Sequence, residues 1–259
     1  MRQGYGLFYF TNGDFYAGYW ENGYKEGRGR YQFSDGSYYE GEFKQGNFCG
    51  YGENFTSGGS YYKGGFQKDA RHGEGILFHS GGSLFAGTWA DNYLTANSIY
   101  IYETGSVHIG EFAQSSFNGR GHLYHLNYMT AANYRQDMKT GFGTYYYSDG
   151  SRYEGDYQHD KQHGWGVFYY TNGDYYEGWF EQGEFCGYGQ YFYRSGQEYV
   201  GNWQHGNRQG WGRTTYTNGE YFEGEFQQGE KHGTGFYYYQ NGTKNFGGSW
   251  ENDVLVYSC

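Results

Sequence analysis

A period of 23 residues runs through this chain and limits what it can fold into before any other feature does. A Gly-x-Gly doublet begins at Gly4, Gly27, Gly50 and Gly73, and again at Gly119, Gly141, Gly164, Gly187, Gly210 and Gly233. The spacing is 23 residues, apart from one doubled gap and one step of 22. In the doubled gap the expected doublet reads Ala96-Asn97-Ser98, so eleven units share one phase. Forty of the 49 glycines fall at four places in the unit: two in the doublet, one in a turn, one in an aromatic-x-Gly-x-aromatic motif.

The unit from Gly164 to Phe180 shows what the period builds. Two aromatic runs flank Asn172-Gly173, and Asn-Gly between strand-like runs is a strong hairpin signal. Asn12-Gly13, Asp35-Gly36, Asp149-Gly150, Asn218-Gly219 and Asn241-Gly242 fill the same slot. Alternation along a strand puts Gly166, Phe168 and Tyr170 on one face, and Tyr176, Gly178 and Phe180 on one face of the returning strand. The expected register sets Tyr170 against Tyr176, Phe168 over Gly178 and Phe180 over Gly166. Each glycine then makes room for a ring. No segment carries the apolar i, i+3, i+4, i+7 pattern of a helix.

Composition decides what can fill the core. Aliphatic residues are scarce, but a quarter of the chain is aromatic, so burial must come from Tyr, Phe and Trp. Disordered chains are poor in such residues. The net charge is −10, with 28 acidic and 18 basic residues and no dense basic run, which argues against nucleic acid as a partner and disfavours anionic membranes. No apolar stretch reaches the roughly 18 residues of a membrane span, and the first residues lack the apolar core of a secretory signal. A soluble cytoplasmic protein is expected. Cys49, Cys186 and Cys259 are an odd count, and Cys49 and Cys186 lie six repeats apart in one phase, so free thiols are expected.

The recurring Tyr39-Glu40-Gly41-Glu42-Phe43, Tyr153-Glu154-Gly155-Asp156-Tyr157 and Phe222-Glu223-Gly224-Glu225-Phe226, each followed by a Gly-x-Gly doublet, resemble the MORN (membrane occupation and recognition nexus) repeat. The resemblance covers essentially the whole chain. It implies an all-β fold: an elongated, single antiparallel twisted sheet of about eleven tandem 23-residue β-hairpins, on the order of 100 Å long. Residues 1–259 read as one array with two departures. In 93–138 the doublet is lost, Tyr128 takes the turn-glycine slot, and Ala131-Ala132-Asn133-Tyr134-Arg135 replaces the strand motif. At 253–258 the run Val254, Leu255, Val256, Tyr257 reads as a final edge strand.

The chemistry-bearing residues have repeat explanations. The doublets lack the Gly-Lys-Ser/Thr and helix of a phosphate loop. His72, His163 and His232 share a slot that elsewhere holds Glu26, Cys49, Asn118, Cys186 or Gln209, so no catalytic, cofactor or metal site is expected. The stripe of Tyr16, Tyr39, Tyr62, Phe85, Tyr153, Tyr176, Tyr199 and Phe222 admits two readings. The rings pack over glycines, or part of the stripe lines an open groove for a partner peptide. Residues 93–138, with Ile99, Ile101, Val107 and Ile109, are a docking segment, a bend or drift. The edge strand suits a second copy or an end-capping partner.

The resulting expectation is a non-enzymatic scaffold that docks proteins of a cytoskeletal complex. Arrays made only of such units resemble radial spoke head proteins, which implies the ciliary axoneme. The alternative is a phosphoinositide-binding membrane module.

Overall fold

The computed structural model describes residues Met1–Ser258, and among them stand 23 strands and no helix. They fall into two compact units, residues 1–126 with 134–137, and residues 127–133 with those from 138 onward. The first holds β1 (Gly4–Tyr9), β2 (Phe15–Glu21), β3 (Tyr24–Gln32), β4 (Tyr38–Lys44), β5 (Asn47–Phe55) and β6 (Tyr61–Gln67). It continues with β7 (Ala70–Phe78), β8 (Leu84–Ala90), β9 (Tyr93–Ile101), β10 (Val107–Ala113) and β11 (Ser116–His125). The residues of β12 (Tyr128–Arg135) are divided between the two.

The second unit holds β13 (Met138–Tyr146), β14 (Arg152–Gln158), β15 (Lys161–Tyr169), β16 (Tyr175–Glu181), β17 (Glu184–Phe192) and β18 (Glu198–Gln204). It ends with β19 (Asn207–Thr215), β20 (Tyr221–Gln227), β21 (Glu230–Tyr238), β22 (Lys244–Glu251) and β23 (Val254–Ser258). Pairing is antiparallel and follows chain order from β1 to β11. It does so again from β13 to β23. Odd strands up to β21 carry the doublet or its decayed copy, and even strands carry the aromatic motif. These are the eleven hairpins of the 23-residue period, with β23 added.

Two turn types alternate. Inside a hairpin, Tyr170 N donates to Asp174 O at 2.9 Å and Gly173 N to Tyr170 O at 3.1 Å. This is a three-residue loop closed by a left-handed residue, Gly173 at φ +92°, a conformation that costs glycine little. Asp174 then accepts Arg194 N at 2.8 Å and Tyr191 Oη at 3.1 Å from the next hairpin, which staples consecutive turns. Asp14 does the same with Tyr31 Oη at 2.6 Å and Ser34 N at 2.9 Å. Between hairpins, two-residue turns place Lys68 and Asp69 at φ +49° and +66°. Asp69 Oδ1 accepts Phe48 N at 2.7 Å.

The register corrects the expected one by two residues. Phe168, not Tyr170, opposes Tyr176, and Gly166 opposes Gly178. The reason is the turn, which takes up Tyr170 to close its loop. Glycine therefore faces glycine, and the ring above the pair comes from along the strand. Tyr153 lies over Gly155 of its own strand and Gly166 of the next. A methyl group on Gly166 would stand 2.5 Å from the Tyr153 hydroxyl, and one on Gly155 would stand 2.5 Å from the Gly166 Cα. The hydroxyl donates to the carbonyl three residues on: Tyr153 to Asp156 at 2.9 Å, Tyr176 to Trp179 at 3.1 Å.

Around each such ring the same cage recurs. Tyr176 stacks on Phe185 at 3.7 Å and meets Phe180 and Trp203 edge-on at 5.3 and 5.2 Å. Tyr39 repeats this with Phe48, Phe43 and Phe66. Nine residues after Tyr62, Tyr199 and Phe222 the stacked ring is replaced by a cation that covers the rings, while Gln162 holds this place after Tyr153 and Leu94 after Phe85. Arg71 lies 4.5 Å from the Trp89 ring, Arg208 5.0 Å from Phe226 and Lys231 5.3 Å from Trp250. These cations looked scattered in the sequence, yet they share one phase.

Candidate partner-binding surface

Each unit has an inner face, which holds this core, and an outer face with no second layer among the described residues. The stripe of Tyr16, Tyr39, Tyr62, Tyr153, Tyr176, Tyr199 and Phe222 is on the inner face, and each ring is 0–2% exposed. Burial pushes the Tyr16 and Tyr62 hydroxyls up to about 12, with Glu26 acting in the same sense on Tyr16. Of the two readings of the stripe, packing describes these seven rings. They cannot meet a partner while they cover their glycines. The eighth, Phe85, is half-buried and stacks on Tyr100 at 4.3 Å. In its hairpin Ser98 stands where a glycine should be, and a methyl group on Gly87 would be 2.6 Å from the Ser98 Cβ. The cradle is filled, so the ring is not fully seated.

The accessible rings lie at a different phase. Tyr5, Tyr51, Phe142, Trp165, Tyr188 and Trp211 are 44–67% exposed. Each is the middle residue of a Gly-x-Gly doublet. Tyr19 and Trp179, opposite Tyr5 and Trp165 on the neighbouring strands, are exposed as well. The signal for these positions was present in the sequence. The doublet glycines drew the attention, although alternation puts the residue between them on the opposite face from the second glycine.

The predicted docking segment is brought together. Ile99 opposes Ile109 and Ile101 opposes Val107 across β9 and β10. Ile99 and Ile109 are 38% and 43% exposed on the outer face, and Ile76 and Ala86 extend their row onto β7 and β8. Elsewhere this row carries ion pairs: Arg30–Glu40 at 3.3 Å, Lys63–Glu53 at 2.7 Å and Arg213–Glu223 at 3.3 Å. The apolar patch is thus a local replacement of charge pairs.

Two assignments in this stretch need correction. Tyr128 is the first residue of β12, not a turn residue, and stacks on Tyr145 at 5.1 Å. β12 follows β11 after only two residues, which accounts for the step of 22 in the period. The burial alternation of β12 puts Thr130, Ala132 and Tyr134 in the places that Tyr153, Gly155 and Tyr157 take in β14. The strand motif is therefore Thr130 to Tyr134, one residue earlier than read.

At the C-terminal end, Val254, Leu255, Val256 and Tyr257 form β23, which pairs with β22. Leu255 packs against the core cluster, while Val254, Val256 and Tyr257 are exposed. Cys49 and Cys186 are free, and burial raises both thiols, which favours their protonated form. Cys259 lies outside the described residues. Among the described residues no cluster of His, Cys, Asp and Glu could hold a metal ion. His72 and His163 each hold a buried Nδ1 with no hydrogen-bond partner among the described residues. No helix is long and apolar enough to cross a membrane.

Comparison with known proteins agrees with the period. The MORN repeat family model matches nine segments: residues 1–15, 16–38, 39–53, 62–83, 132–152, 153–175, 176–198, 199–221 and 222–244. Residues 84–131, where the glycine cradle decays, are not matched. No curated protein matches the chain. Among solved structures, the SAS-4 (dCPAP) TCP domain of Drosophila melanogaster, in complex with a proline-rich motif of Ana2 (dSTIL), is 13% identical with a TM-score of 0.37. That likeness covers 60% of this chain and 85% of that one. A variant of the TCP10 domain of Danio rerio CPAP is 11% identical with a TM-score of 0.27, covering 95% and 99%. Similarities at these scores decide nothing about fold or function. The nine matched segments span most of the sequence, and the chain belongs to the MORN repeat family.

Proposed function

We infer that this chain is a non-catalytic scaffold that docks partner proteins on the outer faces of its sheet, in the ciliary axoneme in the manner of radial spoke head proteins or in another cytoskeletal assembly. MORN repeats typically serve as protein or membrane interaction modules. The observation that carries the reading is the division of the aromatics between two faces. One set seals the core, and a second set stands exposed at a fixed phase with nothing among the described residues to cover it. Large exposed apolar surface on a folded chain marks an interaction site. The axonemal placement rests on the resemblance of arrays built only from these units to radial spoke heads.

Cross-linking of the intact protein in detergent-extracted axonemes, read by mass spectrometry, tests the reading. Cross-links from outer-face strands to axonemal proteins are the expected result. Flotation with phosphoinositide-containing vesicles at physiological salt, in the absence of such cross-links, would replace it with the membrane reading.

A further inference from the structure

The exposed rings of the second unit have a regular spacing. Phe142, Trp165, Tyr188 and Trp211 lie on β13, β15, β17 and β19, every second strand of the sheet. Strands lie about 4.8 Å apart, so successive rings are separated by roughly 10 Å. Trp179 on β16 stands between two of them, its ring 6.0 Å from that of Trp165 and nearly perpendicular to it. Between Tyr188 and Trp211 runs a shallow groove lined by Val200, Asn202 and the backbone of Gly201 and Gly212, with Glu198, Arg213 and Glu223 along its side. A low floor between two exposed aromatic rings forms a trough.

The polar groups on this face point the same way. On the inner face, the indole N–H groups of Trp89, Trp203 and Trp250 donate to the carbonyls of Gly75, Gly189 and Gly235. Among the described residues, the outer tryptophans Trp165, Trp179 and Trp211 have no such acceptor, so their donors are available. The face is also acidic. Arg152 and Arg213 are held by Glu154 at 3.0 Å and Glu223 at 3.3 Å. Asp156, Glu177, Glu198 and Glu225 enter no ion pair among the described residues, although Glu225 Oε1 accepts Thr234 N at 3.1 Å.

A polyproline II helix repeats every three residues, roughly 9.3 Å, and has no internal hydrogen bonds, so its carbonyls point outward as acceptors. Its rigid turns suit aromatic troughs because little ordering entropy remains to be lost. We propose that the outer face of the second unit binds a proline-rich, basic segment of a partner protein as a polyproline II helix. The segment lies across the strands, about one turn per ring, with indole N–H groups donating to its carbonyls and carboxylates outside any ion pair meeting its Lys or Arg. These 259 residues contain no proline, so the segment comes from outside them. The proposal rests on the scaffold reading and names the chemistry of one partner.

The test uses the full chain and a synthetic peptide of about twelve residues, mostly proline, with an arginine at each end. Saturable binding that changes tryptophan fluorescence is expected. W179A and W211A should each weaken binding about tenfold, as truncated aromatic anchors do, while the chain stays folded with only a small drop in thermal midpoint, because both rings are about half exposed. W211F should retain most of the affinity, and E225Q should lose a smaller part. Equal binding of a glycine–serine peptide with the same arginines would reduce the site to charge and overturn the proposal. So would no binding at all, or binding of a β-linked glucan oligosaccharide on the same tryptophans in place of the peptide. If axonemal cross-links persist in W179A/W211A after such a failure, the scaffold reading stands without this ligand; if they too are absent in the parent protein, both fall.

Discussion

Tyr176 and His108 hold equivalent places in two hairpins, and their surroundings are nearly the same. Each ring is fully buried. Each stacks on the aromatic nine residues later, Phe185 at 3.7 Å and Phe117 at 3.5 Å. Each meets the aromatic four residues later edge-on, Phe180 at 5.3 Å and Phe112 at 5.7 Å. The cage survives in the decayed stretch, but the polar end of the anchor differs. The Tyr176 hydroxyl donates a hydrogen bond to the Trp179 carbonyl, while both His108 nitrogens are buried without a hydrogen-bond partner among the described residues. A hairpin can thus keep its shape through ring packing after losing the hydrogen bond and, in its neighbours, the glycine cradle. What it gives up is stability.

Truncating the anchors should expose this difference most strongly. Tyr176→Ala empties a dry cage and removes a hydrogen bond, so a loss of about 3–5 kcal/mol is expected, as for large aromatic deletions in cores. Phe85→Ala removes a ring that is only half-buried, so the loss should be about 1–2 kcal/mol. Urea denaturation of both variants measures the gap. Equal losses would mean that the filled Ser98 cradle does not unseat Phe85.

Alkali should act on the intact anchors. Tyr16 and Tyr62 are pushed up to about 12 by burial, against an unfolded value near 10. Their contribution is whole below pH 10 and is lost as the pH rises through 12, on the order of 2 kcal/mol for each buried ring. Phenolate absorbance should therefore show exposed tyrosines ionising first and a buried class ionising only with unfolding. A single class titrating near 10 would contradict the burial.

Acid should act on His108. Burial holds its imidazole down at about 4, opposed by Asp137 and assisted by His122. A depressed folded value gives stability that is present above the unfolded value of about 6.5 and lost as pH falls toward 4. The loss by pH 5 is about 2 kcal/mol. His108→Tyr, which restores the repeat residue and a hydroxyl able to reach the Glu111 carbonyl, should abolish the dependence between pH 7 and 5. Denaturation midpoints at the two pH values decide it, and an unchanged slope in the variant would place the acid sensitivity elsewhere.

The 23-residue phase made the hairpins legible because turn glycines, doublets and rings all repeat in step. The contest between ring and glycine was legible too, but which ring covers which glycine was not. That depends on the three-residue loop consuming Tyr170, and a turn's hydrogen bonding is not written in its Asn-Gly alone. The site was harder. The residues that recur most regularly, Tyr16 through Phe222, are regular because the core requires them. A surface ladder tolerates Arg28, Glu74 or Thr234 in place of a ring, so its aromatic members stand out only once the faces are assigned. The basic residues over Trp89, Phe226 and Trp250 were missed for a related reason. A cation and a phenylalanine look unlike in sequence, yet either can cap a ring.

The smallest effect concerns Ala96, which takes the place of the first doublet glycine. Its φ is +54°, where its counterparts Gly164 and Gly187 have +68° and +56°. The backbone of the decayed hairpin therefore kept the left-handed bend after losing the residue that adopts it freely. An L-residue with a Cβ pays roughly 1–2 kcal/mol there, while glycine costs roughly 0.5–1 kcal/mol more chain entropy on folding than alanine. Ala96→Gly should then stabilise the protein by about 0.5–1 kcal/mol, whereas Gly164→Ala should destabilise it by a similar amount, both read from denaturation midpoints. The pair tests one claim in opposite directions. If Ala96→Gly is neutral or destabilising while Gly164→Ala behaves as stated, the strand has adapted around the alanine, and the two hairpins differ in their backbones as well as in the rings they hold.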